Sequence, residues 1–488
     1  MGTLQTFVNG SYVSQNPIQD QEELMNLYVE VSESAGASSP AGLLRIPGAG
    51  PFATTTATGN RGGYTHDQTG RSFAMQGGSL TEILSTGGEV VRGAVAVDGN
   101  PATFSTNGDQ LLITSGGNAY CFVLASNTLT LEVTGEATQG AVLYGYGLIF
   151  DKVTGIVRLS DINDLTTWDP TQFFARSINT DPWQAMHVTP YGYIVLPGTQ
   201  TGEGWYNAGT SPIPFAPDPS ANFARGIAAT FSIQQVAEAV VWLSRGVEGD
   251  YTVVRMPGFT PSRISNHAVE YSISTFNDAV GVEDAIGQVY GEHGHLFYLL
   301  TFPSSNLTWV FDAITVGKAN PWAKRGTWIK ESGSYVYWRS VFHWFAFGMH
   351  LTGDPNTNVI SELDHDYSTD VEDRPIRWMR RSPAVLNEHT RLSVSKLELL
   401  MQTGVGTATG QGTNPSIVLR VSRDGGRTWG NEHPCRIGAQ GEYWRRAIWR
   451  MLGRARSFAF EFVGSDPVSY RISALFITTQ GSTEARAA

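Results

Sequence analysis

Apolar residues in this chain fall into short runs rich in β-branched and aromatic side chains, each ended by a Gly, Asn or Asp turn, and helical periodicity is scarce. Leu111-Leu112-Ile113-Thr114, the turn at 115–118 and the run 119–124 predict a hairpin. The same texture recurs at 147–150 with 156–159, 193–196 with 205–206, 240–243 with 251–254, 296–300 with 308–311, and 342–347 with 358–360. The first strands of these hairpins begin near Leu111, Leu148, Tyr193, Val240, Leu296 and Phe342, at spacings of 37, 45, 47, 56 and 46 residues. Propeller blades recur at about 40–50 residues. A blade cannot bury both of its faces alone, so it stacks against its neighbours around an axis.

This spacing predicts an all-β chain in which residues 61–373 form a β-propeller of six or seven blades. A stack of β-sandwiches is the other architecture compatible with the texture. Residues 1–60 read as an N-terminal arm and strands, with a low-complexity stretch at 32–40. The segment 209–219 holds Pro212, Pro214, Pro217 and Pro219 and predicts an excursion between blades. Beyond the propeller, runs at 392–401, 417–422, 458–463 and 470–477 predict an additional C-terminal antiparallel β module, residues 374–488.

Composition narrows the class. The chain has 488 residues, 54 of them Gly, with 13 Trp, 11% aromatic and only 16% charged residues. Enough apolar surface exists to fold, and the residues that build helical bundles are not favoured. No run approaches the ~18 apolar residues of a membrane span. Met1-Gly2-Thr3-Leu4-Gln5 lacks the basic and apolar regions of a signal peptide, and nothing supports a myristoylation signal. Cys121 and Cys435 stand far apart and predict two free buried thiols rather than a disulfide framework. The net charge of −11 conceals an asymmetry. Residues 374–456 carry 15 Lys+Arg against 5 Asp+Glu, a net +10, which leaves −21 for the remainder. Every basic residue there except Lys396 is Arg, which suits planar bidentate contacts.

Few motifs carry chemistry. Ser422-Arg423-Asp424-Gly425-Gly426-Arg427-Thr428-Trp429 resembles the Asp-box of sialidases. Its physical content is a turn: Asp424 bonds nearby backbone N–H groups, Gly426 supplies positive φ, and Ser422, Thr428 and Trp429 complete it. The box occurs once, beyond the propeller, and predicts a structural turn rather than an active site. The acidic stretch 362–373 predicts a solvated turn, with a hard cation as the lesser reading. His293 and His295 would share one side of a strand, but no third ligand is visible nearby, so no metal, cofactor or catalytic residue is assigned. The cluster Trp444, Arg445, Arg446, Trp449, Arg450, Arg454 and Arg456 combines residue types enriched at interface hot spots. As a strand it would place Trp444, Arg446 and Ile448 on one face and Arg445, Ala447 and Trp449 on the other. It is the candidate subunit or partner interface.

The same residues carry a family resemblance. The runs 418–429, 441–443, 447–456 and 465–468 resemble the C-terminal block of short-tailed, podovirus-type phage nozzle proteins, also called packaged-DNA stabilisation proteins or tail accessory factors. Residues 403–406, 410–412, 362–364 and 375–377 fit it, as do 10–13, 25–30 and 46–48 near the N-terminus. The chain departs from that pattern around 431–437, with Cys435 inside. The resemblance implies a non-enzymatic virion protein, assembled in the host cytoplasm. It would form a homohexameric ring below the portal and the head-to-tail adaptor. That ring would extend the DNA exit channel, hold packaged DNA until ejection, and contact a tail needle or plug and tailspikes or fibres. Double-stranded DNA would pass without sequence-specific binding. A glycan-binding or sialidase-like propeller hydrolase is the alternative, requiring a clustered acid pair, and a scaffold propeller holding a peptide in its channel is a third.

Overall fold

The computed structural model describes residues 3–5, 7–16, 19–34, 39–386 and 390–481. The Met1-Gly2 start and positions 35–38 of the low-complexity stretch lie outside them. Seven blades of four antiparallel strands follow one another, beginning with Asn60–His66 and ending with Val359–Asp364. The seventh blade is completed by Gly48–Thr54, which comes from the N-terminal side and pairs with Val359–Asp364. The ring is thus closed by hydrogen bonds between distant parts of the chain.

The apolar runs sit at the second strands of blades two to six, and their unbroken character has a plain cause. Both faces of such a strand are buried, one against each neighbouring blade. In the fourth blade Ile194 and Leu196 pack with Leu148, Phe150 and Leu159 of the third, while Val195 packs with Val240, Trp242 and Val254 of the fifth. Where the first and seventh blades meet, Gly63 lies flat against Trp344; a Cβ there would stand 2.1 Å from the indole. Cys121 is fully buried between the second and third blades, and burial pushes its thiol up to about 12.

Two sequence expectations change, and two elements stand outside the predicted hairpins. The hairpin expected between 342–347 and 358–360 contains a further strand, Met349–Gly353, between its members. Phe347 and Gly348, both at positive φ, make the tight turn that admits it, and its His and Thr residues mask its strand character. The proline-rich segment is not an excursion: Phe215–Phe223, with Pro217 and Pro219, is the outermost strand of the fourth blade. Proline is tolerated there because an edge strand can turn the missing N–H outward. A helix, His267–Ala279, links the fifth and sixth blades; Asn266 caps it by accepting from the Val269 N–H at 3.0 Å. The first blade, residues 60–94, lies ahead of the hairpin at 111–124, and its strands, such as Asn60–His66 and Ser79–Ile83, interleave polar residues with apolar ones instead of forming a continuous apolar run.

The C-terminal module is a β-sandwich that includes N-terminal strands. One sheet runs Leu27–Val31, Ala41–Arg45, Arg471–Gly481, Leu392–Met401, Ala447–Ala455. The other continues the sixth blade: Trp322–Ile329 pairs with Gln21–Met25, then Trp378–Arg381, Ser457–Gly464, Ser416–Ser422 and His433–Arg436. Propeller and sandwich therefore share one unbroken sheet.

A ladder of alternating charge crosses that sheet. Lys324 pairs with Glu23 at 2.8 Å, Glu23 with Arg381, Arg381 with Glu461 at 2.7 Å, and Glu461 with Arg420 at 2.8 Å. Glu23, Arg381, Glu461 and Arg420 stand directly opposite one another across four adjacent strands. Burial alone would raise the Glu23 carboxyl, but Lys324 and Arg381 hold it below the usual range. A second buried pair lies one position away. Arg380, with no exposed surface, donates to the carbonyls of Phe7 and Gly10 and to Glu22.

Candidate functional site

The inner strands of all seven blades line an axial cavity of about 690 Å³. Its lining includes Gly62 to Tyr64, Ala102 to Ser105, Gly140 to Leu143 and Val341 to His343, and contains no Asp, Glu, Lys or Arg. A hydrolase working there would find no carboxylate pair. The titratable groups of the lining are unsuited to acid–base work at neutral pH. Burial pushes His187 down to about 4, and burial together with the neighbouring His350 pushes His343 to about 3. His343 Nδ1–H donates to the Val289 carbonyl at 3.2 Å, so its Nε2 accepts from His350 Nδ1 at 2.9 Å. The cavity is also narrow. A cylinder only as wide as the DNA major groove, about 12 Å, would use up this volume in under about 10 Å of length. A six-residue strand alone spans about 20 Å.

The turn 422–429 is built around one carboxylate. Asp424 accepts the N–H groups of Arg427 and Thr428, both at 3.0 Å, and the Thr428 hydroxyl at 2.6 Å. Ser422 Oγ donates to Asp424 at 2.7 Å and accepts from the Gly426 N–H at 2.8 Å. Gly425 and Gly426 supply positive φ. The Trp429 ring lies 5.3 Å from the Arg381 guanidinium and 5.9 Å from that of Arg420, so the turn packs onto the charge ladder. Desolvation opposes ionisation of Asp424, but these hydrogen bonds outweigh it and hold the carboxyl at about 2. The stabilisation is therefore complete above the unfolded value near 4 and is lost as pH falls through about 2. Asp424→Ala is expected to lower stability by about 1 kcal/mol at pH 7. The difference from wild type, followed by urea unfolding, should shrink toward pH 2.

The aromatic and arginine cluster divides into four groups. Residues 443–446 form a turn, and the extended strand begins at Ala447. The alternation expected across Trp444, Arg445 and Arg446 therefore does not exist. Tyr443 and Trp444 are 72% and 75% exposed. Arg445 pairs with Glu442 at 3.1 Å, and Arg446 makes a two-pronged contact with Glu398 at 2.6 Å. Trp449 is not a surface residue. It lies in the sandwich core, its indole N–H donating to the His433 carbonyl at 2.8 Å and its ring packing edgewise on Phe462. Arg450, Arg454 and Arg456 are exposed and have no ion pair among the described residues.

Strand Ala447–Ala455 is the edge of its sheet, pairing there only with Leu392–Met401. A bulge interrupts that pairing, with Met451 and Gly453 at positive φ, and leaves Met451 90% exposed. Sequence pattern could not find Met451, because its exposure depends on the bulge. The surface around this strand thus presents two exposed aromatic rings, a thioether and, among the described residues, three arginines without an ion pair, while Arg423 Nη2 donates to the Leu452 carbonyl at 2.9 Å beside them.

The histidines and the acidic stretch lie elsewhere. His293 and His295 do not share a strand face: His293 occupies a hairpin turn at φ 48°, and His295 opens the next strand. His295 is buried between Asp312 and Glu30, at 2.6 Å from each. The acidic stretch is only partly solvated. Asp370 is buried and accepts from Thr327 at 2.7 Å, and Glu372 pairs with Arg339 and Arg374.

A seven-bladed propeller is thus joined to a sandwich through one sheet, with an axial cavity lined by no Asp, Glu, Lys or Arg and an exposed arginine-bearing strand on the sandwich. Residues 4–368 match the family model described as "Bacteriophage P22 Gp10, beta-propeller", and residues 377–480 match "Bacteriophage P22 Gp10, beta-sandwich". The chain belongs to this family of phage tail proteins, which stabilise packaged DNA. No curated protein sequence matches it. Among solved structures, the N-terminal domain of Nup159 shares 10% identity at TM-score 0.43, covering 70% of this chain and 98% of its own. Virginiamycin B lyase from Staphylococcus aureus shares 9% at TM-score 0.40, covering 65% and 98%. Both scores lie below 0.5 and bear on nothing beyond general shape. No helix among the described residues is long and apolar enough to cross a membrane.

Proposed function

We propose that six copies of this chain form the tail nozzle, a homohexameric ring below the portal and the head-to-tail adaptor. The ring extends the DNA exit channel, helps close it with a needle or plug, carries spikes or fibres, and opens at ejection. The observation that carries this reading is the family match across both the propeller and the sandwich. Three physical features support it. The shared sheet makes each chain a stiff wall segment. The axial cavity of one propeller is too small for duplex DNA, so a passage has to lie between chains. The −21 outside residues 374–456 keeps phosphates from sticking, since each cationic contact would add affinity through counterion release.

In this reading the exposed surface along this sheet edge, with Trp444, Arg450, Arg454 and Arg456, docks on an acidic surface of a neighbouring chain or of the adaptor. Arg445 and Arg446 contribute less, because each already has a partner within the chain. Replacing Arg450, Arg454 and Arg456 together by Glu is expected to leave the monomer folded and to weaken ring assembly by more than tenfold, read by sedimentation. Unchanged assembly would remove this edge from the interface.

A further inference from the structure

The turn of the sixth blade and the segment leaving the seventh bring together three side chains able to ligate a metal. Glu292 ends strand Ile286–Glu292, His293 occupies the following turn, and His365 directly follows Val359–Asp364. One ligand atom from each lies within 4.8 Å of the other two. They edge an open hollow of about 330 Å³, which His350 also lines. We propose that Glu292, His293 and His365 bind a divalent first-row transition metal of the zinc type, with water completing the coordination.

Three observations carry this. First, the donor set is two imidazoles and a carboxylate, which suits zinc-like ions and not the oxygen-only preference of calcium or magnesium. Second, the spacings fit a tetrahedron. At metal–ligand distances of about 2.0–2.1 Å, neighbouring ligand atoms stand roughly 3.3 Å apart and the centroids of two bound imidazoles roughly 5 Å apart. His365 Nε2 lies 3.2 Å from Glu292 Oε1, and the His293 and His365 ring centroids are 4.9 Å apart. Third, His365 Nε2 is buried yet makes no hydrogen bond, its contact with Glu292 lacking the required geometry. A buried imidazole nitrogen without a hydrogen-bond partner is costly, and a metal would satisfy it.

The surroundings hold the ligands in place. Arg45, a buried residue, donates to the carbonyls of His365 at 3.1 Å and Tyr367 at 2.7 Å. Glu292 is register-paired with His295, itself clamped between Asp312 and Glu30. A bound ion would tie the sixth blade to the seventh, whose last strand comes from the N-terminal side, and so reinforce the closure of the ring.

The test uses the full chain without a polyhistidine tag, titrated with Co²⁺ by visible absorption and with Zn²⁺ by calorimetry and thermal unfolding. One ion per chain is expected, with tetrahedral-type Co²⁺ bands and a Tm that rises with Zn²⁺. His293→Asn suits a turn position at positive φ and should fold normally. His365→Gln and Glu292→Gln provide independent checks. Each is expected to weaken binding by more than about 100-fold, beyond the 10–100-fold cost of losing an outer-shell partner, and to abolish the Tm rise. Absence of stoichiometric binding to wild type, or binding undiminished in folded His293→Asn, would overturn the proposal.

Discussion

Arg381→Ala is expected to destabilise the chain by about 3 kcal/mol, near the low end for breaking a buried ion pair because Arg381 is partly exposed. The guanidinium lies between Glu23 and Glu461, on strands from opposite ends of the chain, and stacks on Trp429. Removing it leaves two carboxylates facing an alanine within the shared sheet, with Glu461 almost wholly buried. Acid sensitivity should increase as well. Glu23 is depressed in the folded state, so it stabilises above its unfolded value and loses that contribution as pH falls through the folded one. Without Arg381 the folded value rises, and acid unfolding should begin at higher pH. Urea unfolding across pH 3–7, followed by Trp fluorescence, checks both effects. A variant as stable as wild type would show that the ladder does not join the two modules energetically.

A chain beginning at residue 57 is expected to give no folded protein. Three losses coincide. The seventh blade loses its outer strand, Gly48–Thr54. The sandwich loses Leu27–Val31 and Ala41–Arg45, with the buried Leu27 and Leu43. Arg380 loses Glu22 and the Phe7 and Gly10 carbonyls while remaining cationic, which leaves a buried charge without compensation. Soluble yield and circular dichroism measure the outcome. A truncated chain with a cooperative wild-type melt would contradict the closure described above.

The blade hairpins were legible because their second strands are buried on both faces, so continuous apolar runs such as Leu111-Leu112-Ile113 stand out from the polar turns. Met349–Gly353 was not, because its His and Thr dilute that signal. The basic C-terminal block was visible as charge, yet which side chains face outward was not. Trp449 and Arg450 are neighbours with opposite fates, decided by where the strand starts and where the bulge falls. The meeting of His293 with His365 depends on how two blades stack, a long-range relation that local spacing does not encode. The union of propeller and sandwich rests likewise on Gln21–Met25 inserting between Trp322–Ile329 and Trp378–Arg381.

In the proposed assembly this chain is one wall segment of a ring through which DNA passes. Its most direct test is the mass of the purified full chain, alone and mixed with a portal–adaptor complex. Six copies per adaptor ring, enclosing an axial opening wide enough for duplex DNA, is the expected result. A monomer that stays monomeric in the presence of the adaptor would contradict it.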